Sequence, residues 1–286
     1  MERSTGESWP ARDAYLLATT TFEPDERATA TVLIAGAAAV PARFYGRFAR
    51  YLAAQDLRVI TFDYRGIGES RTGGLRPFKT CMQDWATLDL AGMIDQVMQR
   101  YPDLPLVVVA HSAGGQLVAL ADNNERIKAL LLVAAQSGYW RHWRGPQRFL
   151  LMALWYGVMP VLTRIFGYFP ARRLGLGEDL PAGVAEEWSR WCRHPNYFVD
   201  RKGRPLQLHL NGFHRPVLSY SIEDDWMAPA AAVDALMENF NQAQKQRRHL
   251  VPTALGVRRL GHFGLFRDSA RAGLWPDVVR WISDHS

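Results

Sequence analysis

Residues Val107 to Gly115 read Val-Val-Val-Ala-His-Ser-Ala-Gly-Gly, an apolar run that ends in a serine and two glycines. A serine hydroxyl is a weak nucleophile unless it stands clear of its backbone beside a base, and a sharp strand-to-helix turn holds it so. Such a turn is crowded, so the residues two before and two after the serine must be small; here they are Ala110 and Gly114. Ser112 is thereby a candidate nucleophile for attack on a carbonyl carbon. The amide of Ala113, first in the following helix, would point to where the oxyanion of a tetrahedral intermediate forms, aided by the positive end of the helix.

The hydroxyl needs an imidazole oriented by an acid, and both follow in chain order. Arg215 to Asp225 is a short strand-like run ending in acids, before Trp-Met-Ala-Pro and a helix-like run over 230–240. An acid at the C-terminal end of a strand lies on the sheet edge where α/β proteins keep their sites. Neighbouring side chains at a strand end point opposite ways, so only one of Asp224 and Asp225 can face the base. Further on, Val257 to Gly264 sets His262 in a glycine-flanked loop after an expected last strand, free to swing its ring toward Ser112. Of the eight histidines, His262 is the one in the right order and loop.

The chain resembles the α/β-hydrolase superfamily, and within it the hydrolases grouped with serine aminopeptidases and monoacylglycerol-lipase-like enzymes. The likeness lies in four stretches: the turn at Ser112; Asp63 to Ser70, a D-x-R-G-x-G-x-S loop; Gly261 to Arg267; and Leu33 to Pro41, where many relatives have His-Gly. It implies an α/β-hydrolase fold, a mostly parallel central sheet with helices on both faces and an inserted helical cap. It also implies a Ser112, Asp225, His262 triad working through an acyl-enzyme, with no metal or organic cofactor. Asp225 rather than Asp224 has the family acid's spacing, four residues before Pro229. Gly36 allows close approach, so the Ala37 amide would join Ala113 in an oxyanion hole, although Ala35 stands where histidine is usual. Serine at the turn separates the chain from the dehalogenases of this superfamily, whose nucleophile is an aspartate.

The elements that must carry these residues are legible in the hydrophobic pattern. Residues 14–22, 29–34, 58–64, 104–110 and 127–135 read as strands, and 43–54 and 84–100 as helices, an alternation that makes a parallel sheet wrapped on both faces. At 286 residues and 48% hydrophobic, the chain suffices for one such core, 1–135 and 216–286, with an insertion at 136–215.

The insertion holds Trp140, Trp143, Trp155, Trp188 and Trp191, half of the ten tryptophans. Its apolar run Phe149 to Leu162, broken by Pro160, is shorter than the roughly 20 residues a membrane span needs. A cap helix lining an apolar acyl pocket is expected, with Trp155, Met159 and, beside the nucleophile, His111 as substrate-contacting candidates. The reading is a hydrolase of an apolar ester or thioester. An acyltransferase or an aminopeptidase could use the same residues, the latter with Glu178, Asp179, Glu186 or Glu187 receiving a free amine; a non-catalytic binder on the same fold is the remaining alternative.

The net charge of +6 comes without a nucleic-acid-binding motif. Its concentration at Arg141, Arg144, Arg148, Arg164, Arg172 and Arg173 suits peripheral contact of a basic, apolar cap with a membrane surface. Two isolated cysteines, Cys81 and Cys192, and no secretory pattern over 1–20 are what a cytoplasmic protein would carry.

Overall fold

The strands that read as continuous apolar runs form the middle of the sheet, because only a strand covered on both faces can be apolar on both. A computed structural model describes residues 3–286. Ten strands lie in chain order: β1 Arg3–Pro10, β2 Leu16–Glu23, β3 Ala30–Ala35, β4 Leu57–Phe62, β5 Leu106–His111, β6 Ala129–Val133, β7 Tyr168–Phe169, β8 Leu180–Pro181, β9 Pro216–Ile222 and β10 Gln244–Leu250. Eight make one sheet in the order β1-β2-β4-β3-β5-β6-β9-β10, antiparallel only at the β1-β2 and β2-β4 pairs. β7 and β8 form a two-residue antiparallel ladder of their own.

Alternation along the central strands feeds two cores. Leu33, Val108, Leu130 and Leu132 enter one apolar cluster, while Val32, Ile34, Val107, Val109 and Leu131 enter the other. Helices α1 (Gly46–Ala53) and, near the C-terminus, Leu274–His285 cover the second cluster. A helical run over 82–100 covers the first, its middle opened into a π turn at Trp85–Leu90. The expected last strand lies earlier than the pattern suggested: β10 ends at Leu250, and 251–263 is loop and turn around a short 3-10 helix, Pro252–Leu255.

The D-x-R-G-x-G-x-S stretch is a knot of polar bonds beyond β4. The Asp63 carboxylate accepts the amides of Ala42 at 2.6 Å and Glu69 at 2.8 Å, and a Cβ at Gly68 would collide with that carboxylate. Ser70 Oγ donates to the Asp63 carbonyl and accepts from the Ala18 amide. Arg65 reaches Asp89 at 2.6 Å and Asp13 at 2.7 Å. Burial lifts the Asp89 carboxyl to about 7 against the pull of Arg65.

Between β6 and β9 the alternation gives way to an excursion. Its longest element is one helix, Gly145–Phe166, followed by the β7-β8 ladder, a helix Ala182–Arg193 and a return over 194–215 that is mostly irregular. Pro160 does not break the first helix. A π turn at Leu154–Val158 precedes it, which relieves the clash between a proline ring and the carbonyl four residues back. The helix therefore extends past both ends of the apolar run to 22 residues, long and apolar enough by length and composition to cross a membrane, with 22% of its most apolar window buried.

Replacing Arg65 with methionine should destabilise the fold by about 3–5 kcal/mol, because Asp89 is left buried without a counter-charge. The stranded carboxyl would then take up a proton on folding, so the variant's unfolding free energy should recover as pH falls from 8 toward 5, a range above the unfolded carboxyl value of about 3.9. Urea unfolding at several pH values measures both effects.

Candidate active site

Ser112 stands between β5 and the helix Ala113–Val118 with φ 51° and ψ −115°, a conformation L-residues avoid. Its amide donates to the Val133 carbonyl of β6 at 3.0 Å, and its carbonyl accepts from Gly115. The helix behind it comes so close to the end of β3 that a Cβ at Gly114 would collide with the Ala35 carbonyl; one at Gly115 would meet the Ala135 methyl. These contacts hold the serine proud of its strand. Ala113, at the first helical position, keeps its amide among the helix's unpaired N-terminal donors.

The two adjacent acids divide their work. Asp225 Oδ2 lies 2.7 Å from His262 Nδ1, and its Oδ1 accepts the amides of Met227 at 2.8 Å and Ala228 at 3.1 Å. Asp224 instead receives the amides of Leu260 and Gly261, fastening the loop that carries His262. Both members of the Asp225–His262 pair are buried, so their hydrogen bond is unscreened. With Nδ1 committed, Nε2 is the nitrogen left to exchange a proton. His262 is joined to the turn at Ser112 through the neighbouring residue: His111 Nε2 lies 2.9 Å from the His262 carbonyl, and the two rings are 4.9 Å apart.

Four of the residues read from sequence are placed differently from expectation. The Ala37 amide is already spent, donating to the Tyr45 hydroxyl at 2.8 Å, so it does not face an oxyanion. On the same loop the Ala38 amide has no acceptor among the described residues. Neither is His111 a substrate contact, being wholly buried with both ring nitrogens engaged, by Tyr45 and by the His262 carbonyl. Trp155 and Met159 face inward with Leu151 and Thr163, a stripe at helical spacing. They belong to the apolar cluster that also holds Ala113, and Trp155 packs on Trp188 at 5.2 Å. The apolar groove that the cap does open, about 880 Å³, lies along its other face, with Trp140, Met152, Tyr156, Val158 and Val161 among its lining.

Sequence reasoning missed Tyr45, ten residues beyond Ala35, because nothing in its local pattern distinguishes it from an ordinary aromatic of an amphipathic helix. It also missed how the cap meets the β3 loop. Glu178 donates its amide to the Ala39 carbonyl at 2.8 Å while its carboxylate pairs with Arg43 and Arg172. A Cβ at Gly177 would strike the same Ala39 carbonyl.

Burial pushes the Cys81 thiol up to about 12 and that of Cys192 well above its usual value, so neither is a thiolate nucleophile near neutral pH. Cys81 lines a second, polar cavity of about 310 Å³ with Glu187 and Arg190, which contains none of Ser112, Asp225 and His262. Among the described residues no group of three or more His, Cys, Asp or Glu is placed to hold a metal ion. The arrangement of hydroxyl, imidazole, carboxylate and free amides suits nucleophilic acyl transfer.

The family model described as "Serine aminopeptidase, S33" matches residues 26–173. No curated protein matches the chain. Among solved structures it is similar to a soluble variant of monoglyceride lipase from Saccharomyces cerevisiae bound to a substrate analogue, 14% identical over 100% of this chain and 95% of that one, with a TM-score of 0.68. An esterase from Exiguobacterium antarcticum is 16% identical over 98% and 100% of the two chains, TM-score 0.60. One from Pyrococcus furiosus is 14% identical over 97% and 91%, TM-score 0.61. At these identities the likeness is one of fold.

Replacing Asp225 with asparagine should lower kcat on a nitrophenyl ester by on the order of 10³ to 10⁴, since the imidazole loses its orienting acceptor. Asp224→Asn, which removes an anchor of the loop and not of the ring, should keep kcat within about threefold and lower the melting temperature instead. Steady-state kinetics beside thermal melts compares them; the opposite ranking would exchange the two roles.

Proposed function

The chain belongs to the serine aminopeptidase family of α/β-hydrolases, and from that premise we propose that it is a serine hydrolase of carboxylic esters or thioesters with an apolar acyl group. The observation that carries the reading is the buried Asp225–His262 hydrogen bond, with His262 joined through His111 to the turn that holds Ser112 at positive φ. In the proposed reaction His262 Nε2 takes the Ser112 proton as Oγ attacks the carbonyl carbon, and Asp225 stabilises the imidazolium. The Ala113 and Ala38 amides receive the oxyanion. The leaving alcohol or thiol takes the proton from His262, and water, activated by the same imidazole, releases the acid.

The family description names an aminopeptidase, yet the acids that could receive a free amine are largely spoken for. Glu178 is paired with two arginines, Asp179 accepts the Arg172 amide, and Glu187 is held by Gln83 and Arg190. The neighbours described as monoglyceride lipase and esterases favour ester substrates over peptides.

The cap supports a preference for lipid-like esters delivered at a membrane. From Gln136 to Gly177 the chain has no Asp or Glu and six arginines. The outer face of the Gly145–Phe166 helix exposes Phe149, Leu150, Tyr156, Val161 and Ile165, and Leu174 and Leu176 are exposed nearby. Such a surface complements anionic lipid. The Leu151, Trp155, Met159 stripe is packed on the core, so the helix would rest in the interface rather than span it.

Two outcomes test these readings. Ser112→Ala should lose on the order of 10⁴ to 10⁶ in turnover while melting like the parent, and a fluorophosphonate should label the parent alone. Residual turnover above a tenth of the parent's would remove Ser112 from the role. Phosphatidylglycerol vesicles should co-sediment with the protein at low salt and release it as salt rises. Phe149→Glu with Ile165→Glu should weaken that association at least about tenfold, each side chain being worth about 1.5–3 kcal/mol when buried, without altering turnover of a soluble acetate ester. Equal binding to phosphatidylcholine, or a stable dimer on size exclusion that the double variant dissolves, would assign the face elsewhere.

A further inference from the structure

Tyr45 and His111 are polar side chains inside the aromatic core that the reaction above does not use. Tyr45 ends a short 3-10 turn, Ala42–Tyr45, ahead of α1, and its ring packs edge-on against Phe266 at 4.8 Å. Gly36 allows this approach, since a Cβ there would sit 3.0 Å from the Tyr45 ring. His111 lies against the same Phe266, also at 4.8 Å, and edge-on to Phe263.

Donor and acceptor roles in this group follow from counting protons. A carbonyl oxygen only accepts, so His111 Nε2, 2.9 Å from the His262 carbonyl, carries a hydrogen. Burial, reinforced by the nearness of His262, holds the His111 pKa well below its ordinary value, so the ring is neutral and has that one proton. His111 Nδ1 must then accept, and the Tyr45 hydroxyl at 2.9 Å donates to it. The hydroxyl oxygen in turn accepts the Ala37 amide at 2.8 Å. The result is a one-directional series from Ala37 N–H through Tyr45 Oη–H to His111 Nδ1, and from His111 Nε2–H to the His262 carbonyl.

We propose that Tyr45 and His111 are positioning residues that fasten the loop after β3 to the backbone of His262, so that the oxyanion amides and the general base keep one separation throughout the reaction. The proposal rests on the hydrolase reading of the site. Both tethered segments are irregular, and they come from opposite ends of the sequence. Tyr45 fixes the peptide one step before the free Ala38 amide; His111 fixes the residue whose ring must meet Ser112. His111 also has to stay neutral, because the His262 imidazolium forms 4.9 Å from its ring and a second cation there would oppose it.

Tyr45→Phe keeps the ring packing and removes only the hydroxyl. On a soluble nitrophenyl acetate its kcat should fall about 10- to 100-fold with KM within about twofold, since misplacing a catalytic loop by a fraction of its working distance costs that much. Labelling of Ser112 by a fluorophosphonate should slow in step. His111→Gln, whose side-chain amide can still donate to the His262 carbonyl, should retain more activity than His111→Ala. All rates are taken at least 15 °C below each variant's melting temperature. A Tyr45→Phe enzyme with parental kcat and a lowered melting temperature would make the pair packing only and overturn the proposal. If the parent itself neither labels nor turns over ester, the hydrolase reading fails instead. The downfield His262 Nδ1 proton resonance and the exchange rate of the Ala37 amide then decide the tether: both should change in Tyr45→Phe, and unchanged values refute it.

Discussion

Ser112 sits at a backbone conformation that costs about 1–3 kcal/mol unless its surroundings leave no alternative. Here they leave none. The helix behind the serine touches the carbonyl at the end of β3, while the serine amide is bound to the end of β6, so both neighbours of β5 grip the turn. Glycine at 114 and 115 is a consequence of that grip. So is the location of the other participants, because parallel strands in register bring the loops after β3, β5, β6 and β9 to one edge. Asp225 follows β9 along that edge, and His262 reaches it from the loop after β10.

A second constraint acts on the loop after β3 from three sides. Tyr45 takes the Ala37 amide, the cap's Glu178 amide takes the Ala39 carbonyl, and Asp63 takes the Ala42 amide. The D-x-R-G-x-G-x-S stretch thus contributes architecture and not chemistry: its aspartate anchors the loop, its arginine is held between Asp89 and Asp13, and its serine ties β2 to the turn. Polar groups this deep are stabilising only when every partner is present, which is why the motif works as a unit.

Ser112, the acid pair and His262 were legible from the sequence because each is marked locally, by small flanking residues, a strand end or bracketing glycines. The parallel sheet was legible because its middle strands are apolar on both faces. What was not legible depends on partners distant in the chain. Nothing near Ala37 announces that a tyrosine eight residues on will occupy its amide. β10, Gln-Lys-Gln-Arg-Arg-His-Leu, is almost wholly exposed, so its pairing with β9 rests on backbone hydrogen bonds that leave no hydrophobic signature. The full length of the Gly145–Phe166 helix was hidden by Pro160, since a π turn that accommodates a proline cannot be read from side-chain periodicity.

Strands β6 and β9 are hydrogen-bonded neighbours, yet the chain leaves one at Val133 and enters the other at Pro216. A parallel crossover needs only about a dozen residues. Lengthening a connection is cheap, about 0.6 kcal/mol for each doubling, so the sheet is nearly indifferent to how much chain is spliced in between. Residues 134–215 can therefore differ in length without changing strand order, within limits set by where they touch the core. A replacement must still meet the core where the present segment does: the Glu178 amide donates to the Ala39 carbonyl, that of His209 to Ala119 and that of Ser137 to Ala232, while the Tyr197 hydroxyl donates to Gln116 and the Glu187 carboxylate receives Gln83.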